Sequence, residues 1–491
     1  MSRSSAEIFH MLPSVHFAVL FISLAFASAT EGIAAEKQTV LPTSIRKSDK
    51  ADFIFFSSRV FEKSETRAKQ VDLIKRFRIC LSNGWKNFEG EELEELHAAG
   101  CELFIYRWFN GYYASQVDAP SDEDASTRAQ AAAYFQQFPE IVSAFKEIHS
   151  HPEWILNPGS PMKGSGATTP AFFYDFSNPE FRAFFVNWIK TSLVKIEYDG
   201  VFFDYIGGWA LPKEVIALWN KKHPNTAYDE AAIAFLRELR AALGKRRIFG
   251  NQAHRFVADH PAYYGLIDYD VSESHATSFV WGKEVEVYIE GEGMTKTLET
   301  FYRPWDGAAG YKEISRTGRI AAGANTRVTM NDINYLKPWL VPTGKTVEVG
   351  DSSVPVYAKR TDRPAIFYGY CAAKLHDGNA YASDWYAPGF GQDDIHFLNL
   401  GNPVDNSFHE AEATVTRYFE NGFVVLTRRG ERVRFTPDQR YLPKGINGVF
   451  DVYEGARLQA WPSGKTVEIS PAWYPASGTR YPSGRVYMYE R

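Results

Sequence analysis

Past a polar leader ending near Lys50, the chain settles into a repeated rhythm of short apolar run, turn and amphipathic stretch. The apolar runs are continuous rather than alternating, the mark of strands buried on both faces of a parallel sheet. Eight of them predict strands. They are RICLSNGW from Arg78, ELFIYRWFN from Glu102, EWILNPG from Glu153, DGVFFDYIGG from Asp199, RIFGNQAH from Arg247, LIDYDVSESH from Leu266, TRVTMND from Thr326 and PAIFYGY from Pro364. Between them, helical spacing predicts a helix from Glu91 to Ala99, ending at Gly100 as the residue after the cap. A second runs from Ala129 to His149, with a break expected at Pro139. A third, Pro179 to Leu193, is opened by Asn178 as cap and Pro179 at the first helical position. A fourth runs from Asp229 to Leu243 and stops at Gly244.

Parallel strands alternating with helices predict an α/β fold, a (β/α)8 TIM barrel over residues 78–380. The competing architecture, an open doubly wound sheet, would carry a GxGxxG after its first strand or a Walker motif, and neither occurs. The run Phe53 to Phe56 lies in the 36–77 segment and reads as a plug or a pre-barrel strand. The connection from Phe279 to Ala324 is long for a barrel loop and predicts an excursion over the active face. The stretch from Gly159 to Pro170, GSPMKGSGATTP, reads as flexible. From Tyr381 the texture changes to short runs (NGFVVLTRRG, ERVRF, GVFDVYEG, RVYMYER) cut by Gly, Pro and Asn. These predict an antiparallel, β-sandwich-like C-terminal domain over 381–491.

Near the N-terminus, Phe17 to Ala27 is an uncharged apolar run followed by small-residue cleavage signals at Ala27-Ser28-Ala29 and Ile33-Ala34-Ala35. It predicts a signal peptide over 1–35 and export to a secreted or periplasmic location. Arg3 is its only preceding cation and Glu7 opposes it, so an uncleaved anchor is the alternative. The run is short of the roughly 20 residues of a membrane span. No second stretch of spanning length follows, so no span is expected in the mature chain.

Composition narrows the partner. The 54 Lys+Arg against 59 Asp+Glu give a net charge of −5, and the basic residues are dispersed, which argues against a grip on nucleic acid. Aromatics at 15% supply core rings and also flat faces for a ligand. Three cysteines make no disulfide framework and match no zinc spacing; Cys80 and Cys101, on neighbouring expected strands, either pair or stay as free buried thiols. His149 and His151 lack HExxH spacing, and Ser272 and His275 lack a GxSxG elbow. No metal or cofactor is called for.

In such a barrel the reactive groups stand at the C-terminal ends of the strands. Polar residues do follow the apolar runs there: Asn83 and Trp85; Tyr106, Arg107, Trp108 and Asn110; Asn157; Asp204 and Tyr205; Asn251 and His254; Asp270, Ser272, Glu273 and His275; Asn331 and Asp332. Asp204 is the sharpest, a carboxylate surfacing directly after Val201-Phe202-Phe203; its plainer role would be to cap the next helix. Asp199 lies at the other end of that strand and reads as a turn residue. Glu273 is the natural second carboxylate, with Asp270 and Asp332 as competitors and a structural ion pair as its plainer role. Two carboxyl groups over one barrel mouth could flank a glycosidic bond, one protonating the leaving oxygen, the other attacking the anomeric carbon or activating water. Arg107 either pairs with a carboxylate or forms a rim ion pair. Asn157, Asn251 and Asn331 could bind sugar hydroxyls, and Trp85, Trp108, Trp209 and Trp281 could stack on pyranose rings or simply pack.

The stretch YDFSNPEFRAFFVNWIKTSLVKIEYDGVFFDYIGG from Tyr174 to Gly208 resembles the glycoside hydrolase-like barrel families, in which an "NPEFR"-like helix start leads to a "DGvFlDy" strand. These are related to barrels of the α-galactosidase and endo-polygalactosaminidase type. The resemblance implies a nucleophilic aspartate after strand four, Asp204, and an acid/base after strand six, Glu273 in DYDVSESH. RYFENGFVVLTRRG looks like the "F.NGfVvvN" start of the trailing β domain, with Leu426-Thr427 departing from the usual Val-Asn. Retention of configuration is implied by the resemblance alone. The expected activity is therefore exported glycoside hydrolysis of a poly- or oligosaccharide. Substrate contacts are expected from Trp85, Tyr106, Arg107, Trp108, Asn157, Tyr205, Asn251, His254, His275, Asn331 and Asp332. The alternatives are an inactive carbohydrate-binding barrel and a polysaccharide lyase or esterase on the same fold.

Overall fold

The computed structural model describes residues 41–56, 64–82, 88–117, 138–163, 170–256, 260–273, 277–304, 326–332, 339–360, 363–375, 380–383, 393–446, 448–459, 466–474 and 478–490. The expected signal peptide, Asn83, Trp85 and His275 lie outside them.

The fold is α/β, with eight strands in one sheet. The strands are β1 (Ala51–Phe56), β2 (Phe77–Ser82), β3 (Glu102–Trp108), β4 (Gly200–Asp204), β5 (Arg247–Asn251), β6 (Tyr269–Glu273), β7 (Arg327–Asp332) and β8 (Ala380–Ser383). Parallel ladders join β1 to β2, β2 to β3, β4 to β5, β6 to β7 and β7 to β8. β8 lies beside β1, so the last strand meets the first, as a (β/α)8 barrel requires.

Two expected strands are something else. In EWILNPG, Pro152–Trp154 form a 3-10 turn, and Ile155 makes one isolated bridge to Tyr174. The Trp154 and Ile155 N–H groups are spent on local turns, to His151 O (2.9 Å) and Pro152 O (3.3 Å), which leaves a single bridge rather than a ladder. A small antiparallel sheet of Gly111–Tyr113, Met162–Lys163 and Pro170–Phe173 occupies this region, so Met162, Lys163 and Pro170 of the stretch read as flexible lie in paired strands. PAIFYGY belongs to a helix, Arg363–Lys374, buried from Pro364 to Ala373. A wholly buried helix carries no amphipathic signature, and Pro364 is tolerated in its first turn. The missing strands are FIFF, which is part of β1, and β8, which lies across the expected domain border at 380/381. One false strand before Asp204 offsets one missed strand, so Asp204 and Glu273 still end the fourth and sixth strands.

The helices follow local chemistry. Asn178 accepts from the backbone N–H groups of Glu180 (2.9 Å) and Phe181 (3.1 Å), capping α4 (Pro179–Ile196) after α1 (Ser64–Ile74), α2 (Glu91–Ala98) and α3 (Pro139–Ser150). At the end of α2, Gly100 takes φ 74° and lets Cys101 N–H close back on Leu96 O at 3.0 Å, a Schellman closure. Two further helices are α5 (Lys213–Lys222), which the hydropathy pattern missed, and α6 (Tyr228–Leu243).

The described residues divide into two compact units, 106–267 and 41–105 with 268–490. In the first, an aromatic layer behind β4 forms the core: Phe235 stacks on Phe176 (4.9 Å) and Phe185 (5.2 Å), and Phe203 meets Phe109 edge-on. Much of the aromatic content is therefore core. In the second unit the long connection after β6 becomes a hairpin, Thr277–Ile289 with Gly293–Pro304. It joins a second hairpin, Trp339–Val349 with Ser352–Arg360, in one four-stranded sheet over Val287, Ile289 and Leu340. The C-terminal antiparallel sheet includes β9 (Thr414–Phe419), β10 (Gly422–Thr427) and the closing strand Gly484–Glu490, around Tyr418, Phe423, Val449, Ile469 and Tyr487.

Cys80, Cys101 and Cys371 are buried and form no disulfide. Cys80 is paired in register with Leu103, two residues beyond Cys101. Two residues of rise combined with one strand spacing separate the two Cα atoms by about 8 Å, beyond disulfide reach. Among the described residues no helix is long and apolar enough to cross a membrane.

Candidate functional site

Strand period two decides what β3 and β4 present. On β4, Phe202 packs against Tyr106 (5.8 Å) and Phe249 (5.6 Å), while Phe203 turns to the helical layer. Asp204 shares the parity of Phe202 and so follows Tyr106. Its half-buried carboxylate is held at both oxygens: Tyr106 Oη donates to Oδ2 at 2.6 Å and Asn251 Nδ2 donates to Oδ1 at 2.7 Å. Burial pushes the Asp204 carboxyl above the ordinary range, against the pull of the Tyr106, Asn251 and Tyr205 N–H donors. Burial and the Asp204 charge together push the Tyr106 phenol well up, which keeps it a proton donor. Tyr113 is raised by the same two causes, burial first. Its ring stacks on Trp108 at 5.0 Å and 20°. Tyr113 thus feels the Asp204 charge, and Trp108 stacks on its ring.

The turn after β4 is fixed by buried polar groups. Asn110, wholly buried, donates to the carbonyls of Tyr205 and Gly207, both at 2.9 Å, and accepts from Tyr228 Oη at 2.9 Å. Asp229 Oδ1 accepts from Gly208 N–H (2.8 Å) and Tyr263 Oη (2.7 Å). Tyr205 itself is buried, its ring 5.6 Å from that of Trp209.

Several expected contacts fall elsewhere. Arg107, opposite in parity to Tyr106, lies with its guanidinium 4.8 Å over the Trp188 ring of α4 and donates to Tyr106 O at 2.6 Å. It is a packing residue rather than a partner of Asp204. Replacing it with leucine is expected to lower stability by about 1–2 kcal/mol in calorimetry and to leave KM unchanged. Asn157 is also structural: its amide donates to Ser160 O and Ala171 O (3.0 Å each) and accepts from Phe173 N–H (2.9 Å), stitching the small sheet. His254 is buried in the 3-10 turn after β5. Glu273 and Asn331 are register partners at the ends of β6 and β7, with Asp332 one residue on. Asp270 is wholly buried.

Tyr113, Tyr228 and Asp229 escaped the sequence reading. Tyr113 stands in the GYY that follows Asn110, a signal that was there to be used; the other two come from α6 and carry none. A second polar cluster contains Ser177, His223 and Asp175. Ser177 Oγ and Asp175 Oδ2 both face the same imidazole nitrogen, Nε2, at 3.0 and 2.9 Å, and Ser177 Oγ donates to Asp175 Oδ1 at 2.5 Å. A serine relay needs the two nitrogens separately engaged, so this cluster gives no esterase triad. Burial raises Asp175, but Lys222, Ser177 and His223 outweigh it and hold the carboxyl below its ordinary range. Among the described residues no group of three or more His, Cys, Asp or Glu is placed to hold a metal ion.

No protein-family profile and no curated protein matches the chain. Among solved structures, a noncanonic maltogenic alpha-amylase, AmyB, from Thermotoga neapolitana is similar with 10% identity and a TM-score of 0.45, over 89% of this chain and 98% of that one. Amy13B of Eubacterium rectale is similar with 9% identity and a TM-score of 0.44, over 91% and 96%. A GH27 β-L-arabinopyranosidase from Geobacillus stearothermophilus shows 9% identity and a TM-score of 0.42, over 89% and 96%. At these values the likeness assigns neither residue nor substrate.

Proposed function

We propose that the chain is an exported glycoside hydrolase acting on a poly- or oligosaccharide, with Asp204 as nucleophile (or base, if inverting) and Glu273 as general acid. The observation that carries the reading is the Asp204 carboxylate at the end of β4, each oxygen held by a neutral side-chain donor. Two fixed donors define the carboxylate plane and pre-organise it, so its attacking lone pair needs no reorientation in the transition state. The saccharide substrate enters through the sequence resemblance; Trp108 and Tyr113 are both buried and stack on each other. Glu273 enters through its position ending the sixth strand and through the sequence resemblance; export enters through the apolar run at Phe17 to Ala27.

The reading is tested by scoring release of reducing ends over a saccharide panel, then by the pH dependence of Tyr106→Phe on any substrate cleaved. The Tyr106 hydroxyl lowers the Asp204 pKa, so its loss leaves burial less opposed and the pKa rises. A reaction needing ionised Asp204 then loses its acid limb at higher pH than in the parent. The expected result is an upward shift of that limb with kcat reduced about tenfold to a hundredfold. An acid limb that stays in place contradicts the role given to Asp204.

A further inference from the structure

Three non-glycine residues among those described take a left-handed φ: Glu197 (58°), Tyr205 (53°) and Gln252 (63°). Glu197 caps α4, where such a conformation is ordinary. The other two stand directly after Asp204 and directly after Asn251, the two residues whose side chains meet at 2.7 Å. An aromatic residue in this region is costly and persists only where its surroundings over-determine it. Gln252 adds a second cost, since it is wholly buried with neither side-chain amide atom hydrogen-bonded. Strain is therefore concentrated at the ends of β4 and β5, on either side of one contact.

What holds Tyr205 in place is visible. Asn110 spans the turn, its amide donating to the carbonyls on both sides of Ile206, while Tyr228 Oη fixes the amide's other end. The two strand ends are tied as well, by Ile206 N–H to Asn251 O at 3.3 Å and Phe109 N–H to Asp204 O at 3.0 Å. Asn110 has no contact with Asp204 among its hydrogen bonds; it acts only through the backbone that carries it. Resting on the hydrolase reading above, we propose that Asn110 is a positioning residue that clamps Tyr205 in the left-handed region and so keeps Asp204 turned toward Tyr106 and Asn251. The backbone reversal at Tyr205 ends the strand at once and lets the Asp204 carboxylate stay against its donors instead of following the chain outward.

The test uses the full chain with three variants, Asn110→Ala, Tyr228→Phe and Asn110→Ala with Tyr205→Gly. Removing the clamp is expected to cut kcat at least a hundredfold with KM within threefold, and Tyr228→Phe, which loosens only the amide, to cut it about tenfold. Glycine accepts φ near 53° without penalty, so the double variant should recover at least tenfold over Asn110→Ala. A readout independent of turnover is the titration of the Asp204 carboxyl by carbon-13 NMR. In Asn110→Ala it should move down toward the ordinary range as the released turn admits water, and it should return up in the double variant. If Asn110→Ala only lowers the melting temperature, with kcat and the Asp204 titration both at parent values, the clamp is overturned. Should the parent cleave no saccharide, the hydrolase reading fails, while the titration still decides for or against the clamp.

Discussion

Asp204→Asn is expected to lower turnover about ten-thousand-fold, about 5.4 kcal/mol at 1.36 kcal/mol per decade, while the chain melts no lower than the parent at neutral pH. The activity loss follows from chemistry. A neutral amide is neither a competent nucleophile toward an anomeric carbon nor a base for water, and its N–H group would face the Tyr106 hydroxyl or the Asn251 amide donor. The stability result follows from the sign of the shift. Burial raises the folded-state pKa of Asp204 above its unfolded value, so its contribution to stability is complete below that unfolded value, about 3.9, and is lost as pH rises through the raised one. At neutral pH the parent therefore carries the cost of a desolvated charge that the asparagine variant lacks. Calorimetry across pH checks this: the parent should lose stability relative to the variant on going from acid to neutral. Hydrolysis by Asp204→Asn within about tenfold of the parent rate removes the residue from the mechanism, whatever its stability.

The second large effect is expected at Glu273. Glu273→Ala should abolish cleavage of natural saccharides by about three orders of magnitude, a general acid contributing about a hundredfold to ten-thousandfold. The loss should depend on the leaving group. An unactivated sugar alkoxide cannot depart without a proton, whereas a dinitrophenolate can, so activated aryl glycosides should be cleaved within about tenfold of the parent rate. Equal losses on both substrate types would assign the acid role to another group. Asp332, one residue beyond Glu273's register partner Asn331, is the next to replace, and wholly buried Asp270 the one after.

How much of this was readable beforehand depends on which interactions are local. The β4 strand was legible because Val201-Phe202-Phe203 is followed at once by a carboxylate, and α4 because Asn178 and Pro179 form a start signal with its own hydrogen bonds. The helix holding PAIFYGY was not, since burial on all sides erases the periodicity that distinguishes helix from strand. FIFF reads from sequence as a plug or a pre-barrel strand, and only its pairing with β2 makes it β1. At the site, Tyr106 and Arg107 are adjacent polar residues that sequence offers as equals; only the facing of β3 separates the donor to Asp204 from a guanidinium packed on Trp188. Asn157 looked like a sugar contact because an amide after an apolar run carries no label saying that its hydrogen bonds are already spent on backbone. Tyr228 and Asp229 belong to a helix start more than a hundred residues from Asn110, and only tertiary structure brings them to the turn.

Hydrolysis in oxygen-18-labelled water, followed by mass spectrometry of the products, tests the central claim most directly. A carboxylate-driven glycoside hydrolase places the label on the new anomeric hydroxyl of a saturated product, and Asp204→Asn under the same conditions should incorporate it about ten-thousand-fold more slowly. An unlabelled, unsaturated sugar end, or label appearing in a released acid rather than at the anomeric carbon, would contradict it.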